Sequence, residues 1–174
     1  VFDVAFEQLS GRGLVAYANT TAATIAYRIW NGSGFSSQMG LGIGTAGVTN
    51  RIIDLIAKPD SNQIMLLVSE GSATPDLRAM LWNGTEFNTS TQVTITTELD
   101  TTSDEQGYSG DWEELSGDFN VFYGENTVLN IIERSFANGA WQAAANGFSG
   151  NGGDIRFVRV ATYPATDRQM ACWT

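Results

Sequence analysis

The chain has 174 residues, with 9 basic and 19 acidic side chains, a formal charge of −10 and no histidine. Histidine-dependent triads and histidine-ligated metal centres are therefore excluded within it, and the acidic balance, with Lys58 as the single lysine, argues against nucleic-acid binding. An apolar share of 43% is enough for a core, whereas the longest aliphatic run, residues 64–68, is too short to span a bilayer.

Taken in chain order, residues 2–6 read as a first strand that ends at the turn Leu9-Ser10-Gly11. The run 13–18 is apolar without alternation, as expected of a strand buried on both faces. A third strand over 24–30 ends in Asn31-Gly32. Asn-Gly tolerates positive φ at both central positions of a two-residue turn and so signals a hairpin. A polar Thr/Ser/Gly-rich segment follows as a fourth, outer strand. The same succession then returns. Phe6-Glu7-Gln8-Leu9-Ser10-Gly11 matches Trp112-Glu113-Glu114-Leu115-Ser116-Gly117, and Pro59-Asp60-Ser61-Asn62 matches Pro164-Ala165-Thr166-Asp167. Aligning Ser10, Ser61, Ser116 and Thr166 gives spacings of 51, 55 and 50 residues. Trp30-Asn31-Gly32 returns as Trp82-Asn83-Gly84 and, one residue out of register, as Phe136-Ala137-Asn138-Gly139. No segment has a helical apolar period, although 128–134 in isolation resembles a helical turn or two, and 145–153 reads as a Gly-rich loop.

Four strands per unit of about fifty residues is the arithmetic of a β-propeller blade, whose two faces are buried by radial stacking. The expected fold is all-β. It consists of propeller-type repeats of four-stranded antiparallel blades within one segment, 1–174, divided near 2–52, 53–108, 109–154 and a partial 155–174. A β-sandwich is the competitor, but it does not require the same landmarks to recur. Three and a half blades make an incomplete ring, so completion by further chain or another subunit is expected.

The unit built on residues 2–11 and Trp30-Asn31-Gly32 resembles repeats of bacterial and archaeal secreted or surface proteins, distant relatives of the sialidase and BNR-type propellers. The resemblance implies a propeller and an extracellular or cell-surface setting. It implies little about activity, because the Asp-box of sialidases, Ser-x-Asp-x-Gly-x-Thr-Trp, is absent, and neither WD nor kelch signatures recur.

Sialidase-type chemistry, as in those relatives, would need an arginine cluster for a substrate carboxylate. Arg28, Arg78 and Arg134 recur in third strands, which favours a repeated structural ion pair instead. The acidic run Asp100, Asp104, Glu105, Asp111, Glu113, Glu114 and Asp118 reads as a solvated face, with calcium the alternative. No catalytic, cofactor or metal residue is assigned, and no cofactor is expected. Asn19, Asn31, Asn83 and Asn88 head Asn-x-Ser/Thr sequons and are candidate glycosylation sites; for Asn31 and Asn83 the turn is a sufficient reason. Trp30, Trp82, Phe136 and Trp141 are expected in packing between blades, and Cys172 as a buried thiol. The expected function is a binding or structural module of a larger secreted or surface protein, with a protein or glycan ligand at the propeller loops. A glycan-active enzyme and a subunit of an extracellular assembly are the alternatives.

Overall fold

The computed structural model describes residues 1–19, 24–44, 48, 50–71, 75–100, 105–126, 128–149 and 155–174. Among them every regular element is a strand, and the strands form antiparallel sheets in chain order. The first sheet is β1 (Phe2–Phe6), β2 (Gly13–Asn19), β3 (Thr24–Trp30) and β4 (Met39–Leu41). The second is β5 (Asn50–Ala57), β6 (Ile64–Glu70), β7 (Leu77–Trp82) and β8 (Phe87–Thr96). In the third, β9 (Tyr108–Trp112), β10 (Phe119–Glu125) and β11 (Val128–Ala137) are followed by β12 (Ala140–Trp141) and β13 (Ala145–Ser149), which pair with successive stretches of β11. β14 (Val158–Thr162) and β15 (Gln169–Trp173) form a two-stranded ladder. No helix among the described residues is long and apolar enough to cross a membrane.

The chain divides into two compact units, Val1–Ile95 and Thr96–Thr174. Each contains a sheet joined to a following sheet, four-stranded in the first unit and, unlike the expected four-stranded blade, five-stranded in the second, and the joints repeat. The Oγ atoms of Ser10, Ser61 and Ser116 and the Oγ1 of Thr166 each accept the N–H two residues on, at 3.1, 3.0, 3.1 and 3.1 Å. This turn chemistry depends only on neighbouring residues, which is why the aligned hydroxyls predict it. The two sheets of a unit use different variants. Gly11 and Gly117 take positive φ after the hydroxyl residue, whereas Asp60 and Ala165 take it just before. Within each unit the first turn is bonded to the second. The N–H of Gln8 donates to Ser61 O at 2.9 Å, and that of Glu114 to Thr166 O at 3.2 Å. Asn62 Oδ1 accepts from Ser10 N, and Asp167 Oδ1 from Ser116 N, both at 2.9 Å.

The first strands of the joined sheets lie side by side. In the first unit Asp3 Oδ2 accepts the N–H of Leu55 at 2.7 Å. In the second, Ser109 Oγ takes the corresponding N–H of Val160 at 3.3 Å, and Gln106 forms a parallel bridge with Phe157. The core of the first unit joins Leu14, Ala16, Ile25 and Tyr27 to Ile64, Leu66, Val68, Met80, Trp82 and Phe87. β6 is buried along its whole length, as its unbroken aliphatic run requires. In the second unit Phe122, Ile131, Ile155 and Val158 form a smaller cluster, with Val160, Ala171 and Trp173 against it.

Several expectations are corrected. Residues 145–149 add a strand where a loop was expected, while 128–134 are strand, as the all-β reading has them. Among the repeated Asn-Gly landmarks, the pair is central to a turn at Asn138 and Gly139, where φ is 53° and 79°. In the first two sheets Asn31 and Asn83 flank the turn, and only Gly32 and Gly84 take positive φ. Their Oδ1 atoms instead accept the N–H groups two and three residues on, at 2.9–3.0 Å. Cys172 is exposed, because it lies on the β15 face turned away from the cluster that holds Ala171 and Trp173. Trp82 does pack across sheets, edge-on to Tyr27 at 6.0 Å, but Phe136 and Trp141 pack on each other within their own sheet. Arg78 pairs with Glu70 at 2.8 Å and Asp76 at 2.7 Å, both in or beside its own sheet. Arg134 donates to Gln142 O at 2.9 Å and lies over the Trp141 ring.

Candidate functional site

The place where the two units differ most follows Glu7 in one and Glu113 in the other. Both glutamates leave the first strand of their sheet, and both accept a bond from the serine three residues on, Ser10 Oγ and Ser116 Oγ. Glu7 is 2% exposed. Its carboxylate also takes Arg12 Nε and Nη2, each at 2.9 Å, and the indole Nε1–H of Trp82 at 2.6 Å. Arg12, its side chain 36% exposed, reaches on to Gly84 O, so an ion pair with a buried carboxylate ties the first sheet to the turn after β7. A buried carboxylate costs several kcal/mol unless charge and hydrogen bonds satisfy it, and here both do.

Glu113 is only half-buried. The residue in the place of Arg12 is Asp118, and the Glu113 carboxylate accepts instead from Asn120 Nδ2 at 2.9 Å. Beside it opens a groove of about 450 Å³, lined by Asn120, Phe122 and Glu133 on one side and by Gln169, Ala171 and Trp173 on the other, with Phe148 over its end. Phe148 stacks on Trp173 at 6.0 Å and 19°. Asn120 Nδ2 also reaches Gln169 Oε1 at 3.1 Å across the floor. Burial first, and then the charge of Glu113, pushes the Glu133 carboxyl above its ordinary value.

The strand registers state which residues of the first unit stand in these positions. Gly13 and Phe119 pair with Trp30 and Phe136, so Asn120, Phe122 and Glu133 correspond to Leu14, Ala16 and Tyr27. Gln169, Ala171 and Trp173 correspond to Ile64, Leu66 and Val68. In the first unit that same space is filled by Met80 and Trp82 of β7 and by Phe87 of β8. Tyr27 meets the Trp82 and Phe87 rings there at 6.0 and 5.1 Å. The groove is thus the position of a third strand.

The residues singled out from sequence do not converge on it, apart from Glu113. Asn31 and Asn83 are exposed turn caps. Asn88 is half-buried, its Oδ1 accepting from Ser90 N at 3.1 Å. Asn19 ends β2, with the rest of its sequon outside the described residues. The acidic run is dispersed into structural bonds. Asp100 Oδ2 accepts from Ile155 N at 2.6 Å, Asp111 Oδ2 from Thr162 N at 2.7 Å, and Glu114 Oε2 from Ala165 N at 2.5 Å. Asp104 lies outside the described residues, and among those described no group of three or more acidic or cysteine side chains is placed to hold a metal. Glu133 was passed over in the sequence. The available signal was a carboxylate interrupting the apolar strand 128–134 at the position of Tyr27.

No protein-family model matches this sequence, and no curated protein matches it either.

Proposed function

We propose that the chain is an arc of β-propeller blades serving as a non-enzymatic binding or structural module of a secreted or cell-surface protein. One observation carries the reading. Sheets follow one another in chain order, and in each unit the first strands of consecutive sheets run side by side under the same turn-to-turn bonds. First strands side by side support neighbouring blades over a sandwich, whose sheets stack face to face. The extracytoplasmic setting and the ligand, a glycan or protein at the loops, rest on the resemblance of the repeat. A crystal structure is expected to show the first strands gathered around a common axis; a two-sheet sandwich would overturn the arrangement. Glycan and protein arrays probed with the chain are expected to give binding with the captured ligand chemically unchanged. Release of sugar from a sialoside or another glycoside would replace the module with the glycan-active reading.

A second reading, a subunit of an extracellular assembly, is favoured by the outer face of β1. Phe2, Val4 and Phe6 lie on one face and are 73%, 47% and 57% exposed, whereas their counterparts Tyr108 and Trp112 are 0% and 1% exposed. An apolar row of this kind marks an interaction surface. Mass that rises with concentration, and falls to one chain on Phe2→Ser with Phe6→Ser, would support it.

A further inference from the structure

We propose that the apex of the turn at Leu115 is an interaction site, and that its partner is a polypeptide segment in which an apolar side chain is flanked by lysine or arginine. The proposal deepens the module reading and rests on it for the claim that the chain binds a macromolecule at its loops. The particular loop and the chemistry of the partner come from comparing two turns of this chain.

Residues 7–12 and 113–118 form the same turn twice. The N–H of Gly11 donates to Glu7 O at 2.9 Å, and that of Gly117 to Glu113 O at 3.1 Å. Most side chains that recur between them have a structural reason. The glutamate accepts the serine hydroxyl, the serine Oγ takes the N–H two residues on, and the glycine holds positive φ. The leucine side chain has none: Leu9 and Leu115 are 69% and 71% exposed. Neighbouring repeats do not cover it. Leu9 stays exposed although the second sheet follows it in the chain, and Leu115 although two sheets precede it and another follows. A single exposed leucine is ordinary. The same one returning at an apex, where turn chemistry favours polar residues, is surface kept for contact.

The residues around the two leucines define the charge of the partner. Gln8, Arg12 and Asn62 of the first unit are Glu114, Asp118 and Asp167 in the second. The fold does not require those carboxylates. Asn62 Oδ1 and Asp167 Oδ1 make the same bond, to Ser10 N and Ser116 N, both at 2.9 Å. Glu114 Oε2 accepts the N–H of Ala165 at 2.5 Å, a bond that the neutral oxygen of a glutamine also makes. Residues 7–12 with 58–63 have a formal charge of zero, whereas 113–118 with 163–168 carry −3, Arg168 included. Glu114 and Asp167 are exposed, so this surplus charge is presented to solvent. Among the described residues no three acidic side chains are placed to hold a metal, which leaves an organic cation as the complement. A lysine or arginine answers the carboxylates while its methylene stem and an adjacent apolar side chain cover Leu115. The leucine supplies the contact, and the carboxylates select the sign of what lies beside it.

The test is an amide NMR titration of the chain with three short peptides of alternating residues: lysine with leucine, lysine with serine, and glutamate with leucine. Saturable shifts of the Leu115, Ser116 and Gly117 amides are expected with the lysine–leucine peptide, at an affinity about tenfold above the other two. The Leu9, Ser10 and Gly11 amides in the same spectra are expected to respond about tenfold more weakly. Leu115→Ser is expected to make the lysine–leucine and lysine–serine peptides equal. Glu114→Gln with Asp118→Asn and Asp167→Asn is expected to make the lysine–leucine and glutamate–leucine peptides equal. Unchanged shifts outside the turn confirm that each variant is folded; Glu114→Gln alone, with a smaller loss of preference, serves if the triple variant is not. No saturable shift, equal responses at the two turns, equal binding of the two lysine peptides, or a charge preference untouched by the amide variants would overturn the proposal. Shifts of the turn that grow with chain concentration in the absence of peptide would overturn it too, by assigning the apex to a second copy. Binding on glycan or protein arrays without binding of these peptides leaves the module reading standing and removes this site; binding in neither assay removes both.

Discussion

The two units begin alike and finish differently. Around Glu7 the carboxylate is buried, paired with Arg12 and capped by Trp82; around Glu113 the same backbone turn holds a half-buried carboxylate beside an open groove. The turn itself is indifferent to this, since Ser10 and Ser116 make the same bonds. What differs is the set of residues at that place, Met80, Trp82 and Phe87 in the first unit and the groove lined by Asn120, Glu133 and Gln169 in the second. A fold can repeat its local hydrogen bonding faithfully while the burial of one side chain, and hence the meaning of its charge, depends on whether a neighbour arrives.

The comparison is broken most severely at Trp82. Its ring buries about 200 Å², worth about 5 kcal/mol at 25 cal/mol per Å². Trp82→Ala is therefore expected to cost about 3–5 kcal/mol in denaturant unfolding. Trp173→Ala, which removes a half-buried ring from the groove wall, is expected to cost less than about 2 kcal/mol. Equal losses would mean that the groove is closed in solution. Next is the glutamate pair. Glu7→Gln weakens the bonds that Arg12 and Trp82 make to a buried carboxylate, while solvent screens the partly exposed Arg12, and is expected to destabilise by about 1–2 kcal/mol. Glu113→Gln, with no cation to lose, is expected to stay within about 0.5 kcal/mol. Reversal of that order would show that Glu113 has a buried partner. Ser10→Ala and Ser116→Ala remove one turn bond each, and both are expected to cost about 1 kcal/mol. A clear difference between them would show the two turns to be less alike than their geometry.

The smallest effect belongs to Glu133, and its sign is set by pH. Its carboxyl is pushed up by burial and by Glu113, so folding favours its protonated form. The stability associated with that form is fully present below the ordinary carboxylate range and is lost as pH rises through the raised value. Glu133→Gln mimics the neutral group. It is expected to stabilise the chain at pH 7 by less than about 0.5 kcal/mol, since solvent screens a partly exposed site. Thermal melts across pH are expected to show that gain vanishing below pH ~4, where the native glutamate is itself neutral. A gain that persists in acid would assign it to something other than charge.

Much of this was legible in the residues themselves. The hydroxyls at Ser10, Ser61, Ser116 and Thr166 mark four turns because each bonds its own backbone two residues on, within a few ångströms of chain. The unbroken aliphatic run Ile64 to Val68 marks a fully buried strand for an equally local reason. The asparagine turns were less legible. One residue of displacement decides whether Asn-Gly sits at the centre of a hairpin, as at Asn138, or beside it, as at Asn31 and Asn83. The partners Asn62 and Asp167 were not legible at all, because they cap a turn 51 or 52 residues away.

The sequence alone therefore determined the all-β class, the recurring unit and the chemistry of its turns, all of which follow from contacts among near neighbours. Only the tertiary structure decided that Glu7 is a buried latch and Glu113 a groove wall, although they sit in nearly identical stretches of chain. Burial is a property of what packs against a residue. In the first unit that is β7, 75 residues beyond Glu7 at Trp82; in the second it is Asn120 and the groove that Glu113 and Glu133 line.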